Sequence, residues 1–215
     1  MYKKKPFFIV FEGVEGCGKS FQSKKLFQKL KKKRIKSILT REPGGTKSSE
    51  LIRNLILKDY FIKKKKEKFD KYTDTLLYLA ARNEHIKNKI KPALLKKQVV
   101  ICDRFIDSTL AYQVYGKKVS LAFIKNIHKQ ILKGIKPNIT FVLKVKKQSF
   151  LRRLKKRKTK NRYDNFSQSF YTKAQKSFLK IAKNKKNYFV LNSSSNNTNL
   201  EKEILNIVFK KLKIK

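Results

Sequence analysis

Apolar residues along this chain gather into five short dense runs, and the stretches between them carry apolar residues at helical spacing. The runs are "FFIVFEG" (7–13), a segment near 36–40 in "RIKSILT", "QVVICDRF" (98–105), "PNITFVLKV" (137–145) and "NYFVLN" (187–192). They are rich in β-branched and aromatic residues and read as strands. The first is apolar almost throughout, the pattern of a strand buried on both faces of a parallel sheet. Apolar positions three and four apart predict helices over 19–33, 49–57 ("SELIRNLIL"), 73–97 with an interruption near Pro92, and 120–132 ("SLAFIKNIHKQIL"). Three more follow over 148–158, 167–183 and 200–213. Strands alternating with helices predict an α/β fold, a five-stranded parallel sheet with helices on both faces. The 215 residues fit a single domain with a substantial core. "NSSSNNTN" (192–199) reads as a polar loop and "KKKKEK" (63–68) as a solvated insertion.

Charge adds a second theme. The chain has 57 Lys+Arg against 14 Asp+Glu, a net charge of +43. That excess attracts phosphate polyanions, so a nucleic-acid-binding protein is one reading. The lysines are scattered over nearly every segment, whereas a binding footprint clusters on one element, and compositional drift explains the spread better. Only nine of the cations are arginine. In a chain that defaults to lysine, a planar bidentate donor marks a place where geometry matters. No apolar run approaches the roughly 18–20 residues of a membrane span, and the segment before Gly13 is too short for a signal peptide, which predicts a cytoplasmic protein. Cys17 and Cys102 show no CxxC pattern and are expected to be free thiols.

Candidate chemistry begins with the glycines. Only seven occur, yet Gly13, Gly16 and Gly18 lie within six positions, and Gly44 and Gly45 are adjacent. "GVEGCGKS" (Gly13, Val14, Glu15, Gly16, Cys17, Gly18, Lys19, Ser20) satisfies GxxxxGK[ST] between a predicted strand and a predicted helix, the setting in which that motif cradles nucleotide phosphates. Its backbone N–H groups and the following helix N-terminus bind phosphate oxygens, Lys19 reaches the β and γ phosphates of ATP, and the Ser20 hydroxyl faces Mg²⁺. The same positive potential favours a reactive thiolate at Cys17, the alternative being a small residue tucked under the loop and unreactive. His85 and His128, with no catalytic partner nearby in sequence, are expected on the surface or in packing roles.

Four further segments, "TREPGGT" (40–46), "YLAAR" (78–82), "DRFIDSTLAYQ" (103–113) and "NRYD" (161–164), follow at spacings that resemble the thymidylate kinase family from about residue 7 to about 210. The resemblance implies a P-loop NTPase fold with a helical lid near 150–165, phosphorylation of dTMP to dTDP by MgATP, and a homodimer. It assigns Asp103 to Mg²⁺ and Arg104 and Arg53 to the dTMP phosphate. Tyr78 matches the aromatic stacked on thymine, and Arg82 the donor to thymine O4. Thr109, Tyr112 and Gln113 match residues around base and sugar, and Glu15 the acid at the deoxyribose 3′-hydroxyl. Gly16 stands where some members carry a P-loop arginine, so catalytic charge is expected from the lid, at Arg162 or, second, Arg157. "EPGG" suggests a cis or rigid turn at Pro43. Rival readings are a kinase for another nucleoside monophosphate and a basic nucleic-acid-binding P-loop ATPase.

Overall fold

The computed structural model describes residues 5–57, 69–155, 168–194 and 197–214. Five strands, β1 (Phe7–Glu12), β2 (Ser37–Arg41), β3 (Val99–Asp103), β4 (Ile139–Lys144) and β5 (Tyr188–Asn192), form one all-parallel sheet in the order β2-β3-β1-β4-β5. β1 is buried at all six positions and lies at the centre of the sheet, as its unbroken apolar run predicts. Register aligns Phe11 of β1 with Asp103 of β3 and with Phe141 of β4, so the loops that leave β1 and β3 emerge side by side. Their connections then run to opposite sides of the sheet, which opens a crevice between them at the carboxyl ends of the strands.

Helices cover both faces. One face carries the larger core, in which Phe11, Leu26, Leu30, Phe141, Phe178 and Val208 join α1 (Lys19–Lys32), α8 (Gln168–Ala182) and α9 (Asn197–Leu212) to the sheet. The other packs Phe8, Val10, Val100 and Cys102 against Ile86, Ile90 and Phe105. α2 (Lys47–Leu57) and α3 (Lys71–His85) follow β2, and α6 (Leu121–Leu132) precedes β4.

Two segments depart from expectation. The helix near Pro92 is not broken: α3 runs through a π-helical stretch, Ile86–Ile90, into α4 (Lys91–Leu95), and Lys91 N–H reaches back five residues to Ile86 O. The wider turn admits a proline that offers no N–H of its own. Residues after Asp103, to which the sequence reading assigned no element, form α5 (Ile106–Thr109) and a π-helical continuation, Leu110–Gly116. Their buried members include the polar residues Asp107, Ser108, Thr109 and Gln113, which hide a helical pattern, and the last three face the site. Among the lid residues, α7 (Lys147–Lys155) is described; 156–167, with Arg157 and Arg162, lies outside the described residues, as does "KKKKEK".

Candidate active site

The crevice opens into a cavity of about 390 Å³ that brings together Glu15, Lys19, Ser20, Arg53, Tyr78, Arg82, Asp103, Arg104, Thr109, Tyr112 and Gln113. Residues separated by as many as 98 positions thus share one wall. The order of construction follows from the strand ends.

The loop after β1 supplies the phosphate end. Gly13 has φ +135°, and a Cβ there would stand 2.7 Å from Leu143 O and 2.9 Å from Cys17 Sγ, so only glycine lets the loop press against β4. Lys19, the first residue of α1 and largely buried, donates from Nζ to Val14 O at 2.7 Å and lies 3.6 Å from Cys17 Sγ. Its ammonium is folded across the loop where a bound polyphosphate would sit.

At Cys17 the buried alternative replaces the reactive thiolate. It is fully buried beneath the loop, and burial pushes its thiol above its usual range, outweighing the pull of Lys19 and Arg104 toward thiolate. Proximity to cations does not produce a nucleophile when the thiol has no water to ionise into. Iodoacetamide at neutral pH is therefore expected to leave both Cys17 and Cys102 unmodified in the folded protein and to label both after denaturation; mass mapping that finds native Cys17 labelling would contradict this burial.

β3 ends at Asp103, whose Oδ2 accepts a short hydrogen bond from the Ser20 hydroxyl. Asp103 Oδ1 is buried with no hydrogen-bond partner among the described residues. A hydroxyl and an unsatisfied carboxylate oxygen beside a phosphate loop fit a Mg²⁺ ion, which prefers oxygen ligands and retains several waters.

Arg104 follows with φ +75°, a left-handed conformation that turns its side chain back over the cavity. Nη1 donates to Gly13 O at 2.9 Å and Ser108 Oγ at 3.0 Å, and Nη2 to Glu15 Oε1 at 2.6 Å. Tyr112 donates its hydroxyl proton to Glu15 Oε2 at 2.7 Å. Burial would raise the Glu15 carboxyl, but Arg104, Lys19 and Tyr112 outweigh it and hold it below its usual range. The pair places a carboxylate and a fixed guanidinium fork beside each other at the cavity wall.

Behind Arg104 lies Glu12, which the apolar run around it concealed. It is almost fully buried, accepts from Phe105 N–H at 2.8 Å and from Ser108 Oγ–H at 2.6 Å, and so clamps the turn that carries Arg104. Burial and the nearby Asp107 carboxylate push Glu12 up to about 7.

The loop after β2 supplies the opposite end. Glu42–Pro43 is a cis peptide, and Pro43 O accepts from Arg53 Nη1 at 2.6 Å. Gly45 takes φ +97°, and a Cβ on it would fall 2.5 Å from Thr40 Oγ1 and 2.6 Å from His85 Nε2. Glu42 and Arg82 form a buried ion pair at 2.7 Å, and His85, fully buried, bonds Glu42 Oε1 through Nδ1 at 3.0 Å and Thr40 Oγ1 through Nε2 at 2.6 Å. Burial alone would raise Glu42; Arg82 and the His85 hydrogen bond prevail and lower it. Arg82 Nη1 also donates to Thr109 Oγ1 and His128 Nε2, both at 2.8 Å. Both histidines, expected on the surface or in packing, are buried, and their ring nitrogens support Arg82 and the loop beside it. Tyr78 is half-buried on the cavity wall, and Gln113 Nε2 is buried with no hydrogen-bond partner among the described residues.

Arg153 of α7 was missed in the sequence. It lines the cavity and donates to Gly16 O at 3.2 Å and Ser193 O at 2.7 Å, tying the base of the lid to the phosphate loop. Its position within a run of cations gave no signal to single it out. Arg41, half-exposed at the mouth and paired with Glu50 at 3.1 Å, was also passed over.

Comparison with known proteins agrees with this geometry. The family profile described as thymidylate kinase matches residues 11–204. A protein named thymidylate kinase from Aster yellows witches'-broom phytoplasma (strain AYWB) is 41% identical over 210 residues, covering 96% of each chain. Another of that name, from Wolbachia pipientis subsp. Culex pipiens (strain wPip), is 42% identical over 212 residues, covering 96% of this chain and 97% of its own. The crystal structure of thymidylate kinase from Ehrlichia chaffeensis superposes with a TM-score of 0.74 at 30% identity, over 95% of this chain and 99% of that one. A five-stranded P-loop core, the two arginine-bearing strand ends and similarity along nearly the whole length agree, and the chain belongs to the thymidylate kinase family.

Proposed function

We propose that this chain transfers the γ-phosphoryl group of ATP to dTMP, giving dTDP and ADP, as a single domain whose lid spans about 150–165. The observation that carries the reading is one cavity lined by Lys19 and its phosphate loop, by three arginines, Arg53, Arg82 and Arg104, and by the aromatic ring of Tyr78. An oxygen of the dTMP phosphate attacks Pγ, the bond from Pγ to the β,γ-bridging oxygen breaks, and ADP departs with that electron pair. The acceptor phosphate is already anionic near neutral pH, so the protein's work is alignment and charge neutralisation.

Lys19 holds the β and γ oxygens, Arg104 and Arg53 hold the acceptor, and Arg153 brings one lid guanidinium to the phosphate loop. Arg162, with Arg157 second, is the proposed cation on the transferring group. Ser20 and Asp103 hold Mg²⁺, which supplies charge neutralisation on the phosphate oxygens when bound. Glu15 takes the deoxyribose 3′-hydroxyl, while Tyr78 stacks on thymine and Arg82 donates to its O4. Thr109, Tyr112 and Gln113 close the base and sugar pocket, and the buried unpartnered Gln113 Nε2 suits a base carbonyl. The reaction is placed in the cytoplasm, where its nucleotide substrates are held; no described helix is long and apolar enough to cross a membrane.

A coupled assay of ADP release with each nucleoside monophosphate tests the assignment. dTMP is expected to be preferred by orders of magnitude, and comparable rates with AMP or dCMP would overturn it. Arg82→Ala is expected to lower the dTMP over dCMP ratio of kcat/KM by the equivalent of about 1–3 kcal/mol, because cytosine carries a donor where thymine carries O4. An unchanged ratio would move base recognition to another residue.

The working unit is proposed to be a homodimer. α2 and α3 pack on each other and expose apolar pairs one helical turn apart, Leu51 and Leu55 on one, Tyr72 and Leu76 on the other, with Leu51 69% exposed. Apolar side chains grouped in this way suit a second copy. Light scattering should give twice the chain mass for the wild type and the single mass for Leu51→Asp/Leu76→Asp; a monomeric wild type overturns the proposal.

A further inference from the structure

Arg82 has five N–H groups, and the protein takes four of them. Nε donates to Glu42 Oε2 at 2.7 Å, Nη1 to Thr109 Oγ1 and His128 Nε2 at 2.8 Å each, and Nη2 to Phe105 O at 2.8 Å. Among the described residues one Nη2–H is left over, and the residue lines the cavity. A guanidinium is planar and rigid, so fixing four donors fixes the direction of the fifth. The supports come from separate parts of the chain: the loop after β2, the turn after β3, α5, and α6. His128 is the one that α6 contributes, and none of the residues lining the cavity comes from α6.

We propose that His128 is a positioning residue for base recognition, a neutral imidazole whose Nε2 lone pair holds Arg82 Nη1 and thereby aims the remaining Nη2–H at the base. The inference rests on the reading that Arg82 donates to a thymine carbonyl. Because Arg82 donates to Nε2, the ring proton belongs on Nδ1. Burial, reinforced by the facing guanidinium, lowers His128 to about 3, so the acceptor stays available across the working pH range. The division of labour with Glu42 is chemical: the carboxylate neutralises the guanidinium, and the imidazole fixes its plane without adding a second negative charge that would compete with the substrate carbonyl for it.

His128→Phe keeps a buried ring and removes the acceptor. It is expected to raise KM for dTMP and lower the dTMP over dCMP ratio of kcat/KM by about tenfold, the scale of one lost buried hydrogen bond, with KM for ATP unchanged. His128→Gln, whose Oε1 reaches close to the position of Nε2, should restore the ratio to within about threefold. A ratio unchanged in His128→Phe beside a fall in Arg82→Ala overturns the inference and leaves the base reading standing. A ratio unchanged in Arg82→Ala overturns both. The chain has only two histidines, so ¹⁵N-histidine spectra of the wild type, assigned with a His85 variant, give a test independent of the folding of any His128 variant. The Nδ1–H tautomer with no titration between pH 5 and 8 is expected for His128; an Nε2–H tautomer, or titration near the unperturbed ~6.5, overturns the proposal.

Discussion

Lys19→Ala is expected to lower turnover with dTMP by about 10²- to 10³-fold and to leave the melting temperature nearly unchanged. The two halves of that expectation come from different features. Lys19 Nζ lies folded over the phosphate loop against Val14 O, so its charge serves whatever the loop binds. Its contribution to the fold is small, because Lys19 opens α1 behind the N-cap Gly18 and provides no cap itself, and alanine is the best helix former. A coupled assay and a thermal melt on the same sample check both. Near-normal turnover would remove the loop from the chemistry, and a large loss of stability would show that the ammonium supports the loop rather than its ligand.

Arg104→Ala should affect activity and stability together. The guanidinium is the fixed fork offered to the acceptor phosphate, so kcat/KM for dTMP is expected to fall about 10³-fold. Without it, Glu15 loses its ion-pair partner in a site where both side chains are at most 15% exposed, a loss of about 3 kcal/mol. The pH dependence has a definite sign. Glu15 in the wild type is held below the ordinary carboxylate value of 4.5, so its pairing stabilises the fold above that pH and fades as the pH falls through the lowered value. The stability gap between wild type and variant should therefore be full at pH 7 and shrink below about 4.5. The backbone adds a second comparison. At φ +75° a glycine is at ease where alanine is strained, so Arg104→Gly should be more stable than Arg104→Ala by about 1 kcal/mol in urea denaturation, with both equally inactive. The reverse order would mean that the turn relaxes once the side chain is gone.

The nucleic-acid reading loses its ground at this site. Arg104, Arg53 and Arg82 each hold a carboxylate or carbonyl of the cavity wall, and the carboxylate that ends β3 is paired with the phosphate-loop serine. The arginines mark geometry here, as their scarcity among lysines suggested.

Local pattern determined a good deal. The apolar runs set all five strands to within a residue or two; the three inner strands, β1, β3 and β4, are buried on both faces and so need a nearly unbroken apolar segment. "GVEGCGKS" fixed the phosphate end, since a backbone that must turn sharply and approach a ligand requires glycine at set intervals. Asp103 and Arg104 were legible as neighbours serving ligands of opposite charge. What sequence could not decide was the company each residue keeps. Sheet order β2-β3-β1-β4-β5 follows from packing of helices on two faces, and no strand carries its neighbour's name in its own pattern. Cys17 looked electropositive and reactive along the chain, yet the fold buries it completely, and desolvation outweighs nearby charge. Glu12 was hidden inside an apolar run, and Arg153 inside a cationic one. His85 and His128 lacked partners nearby in sequence because their partners lie 43 and 46 residues away, at Glu42 and Arg82. A buried polar group is satisfied by whatever the fold brings within 3 Å, and that distance is a property of the tertiary structure alone.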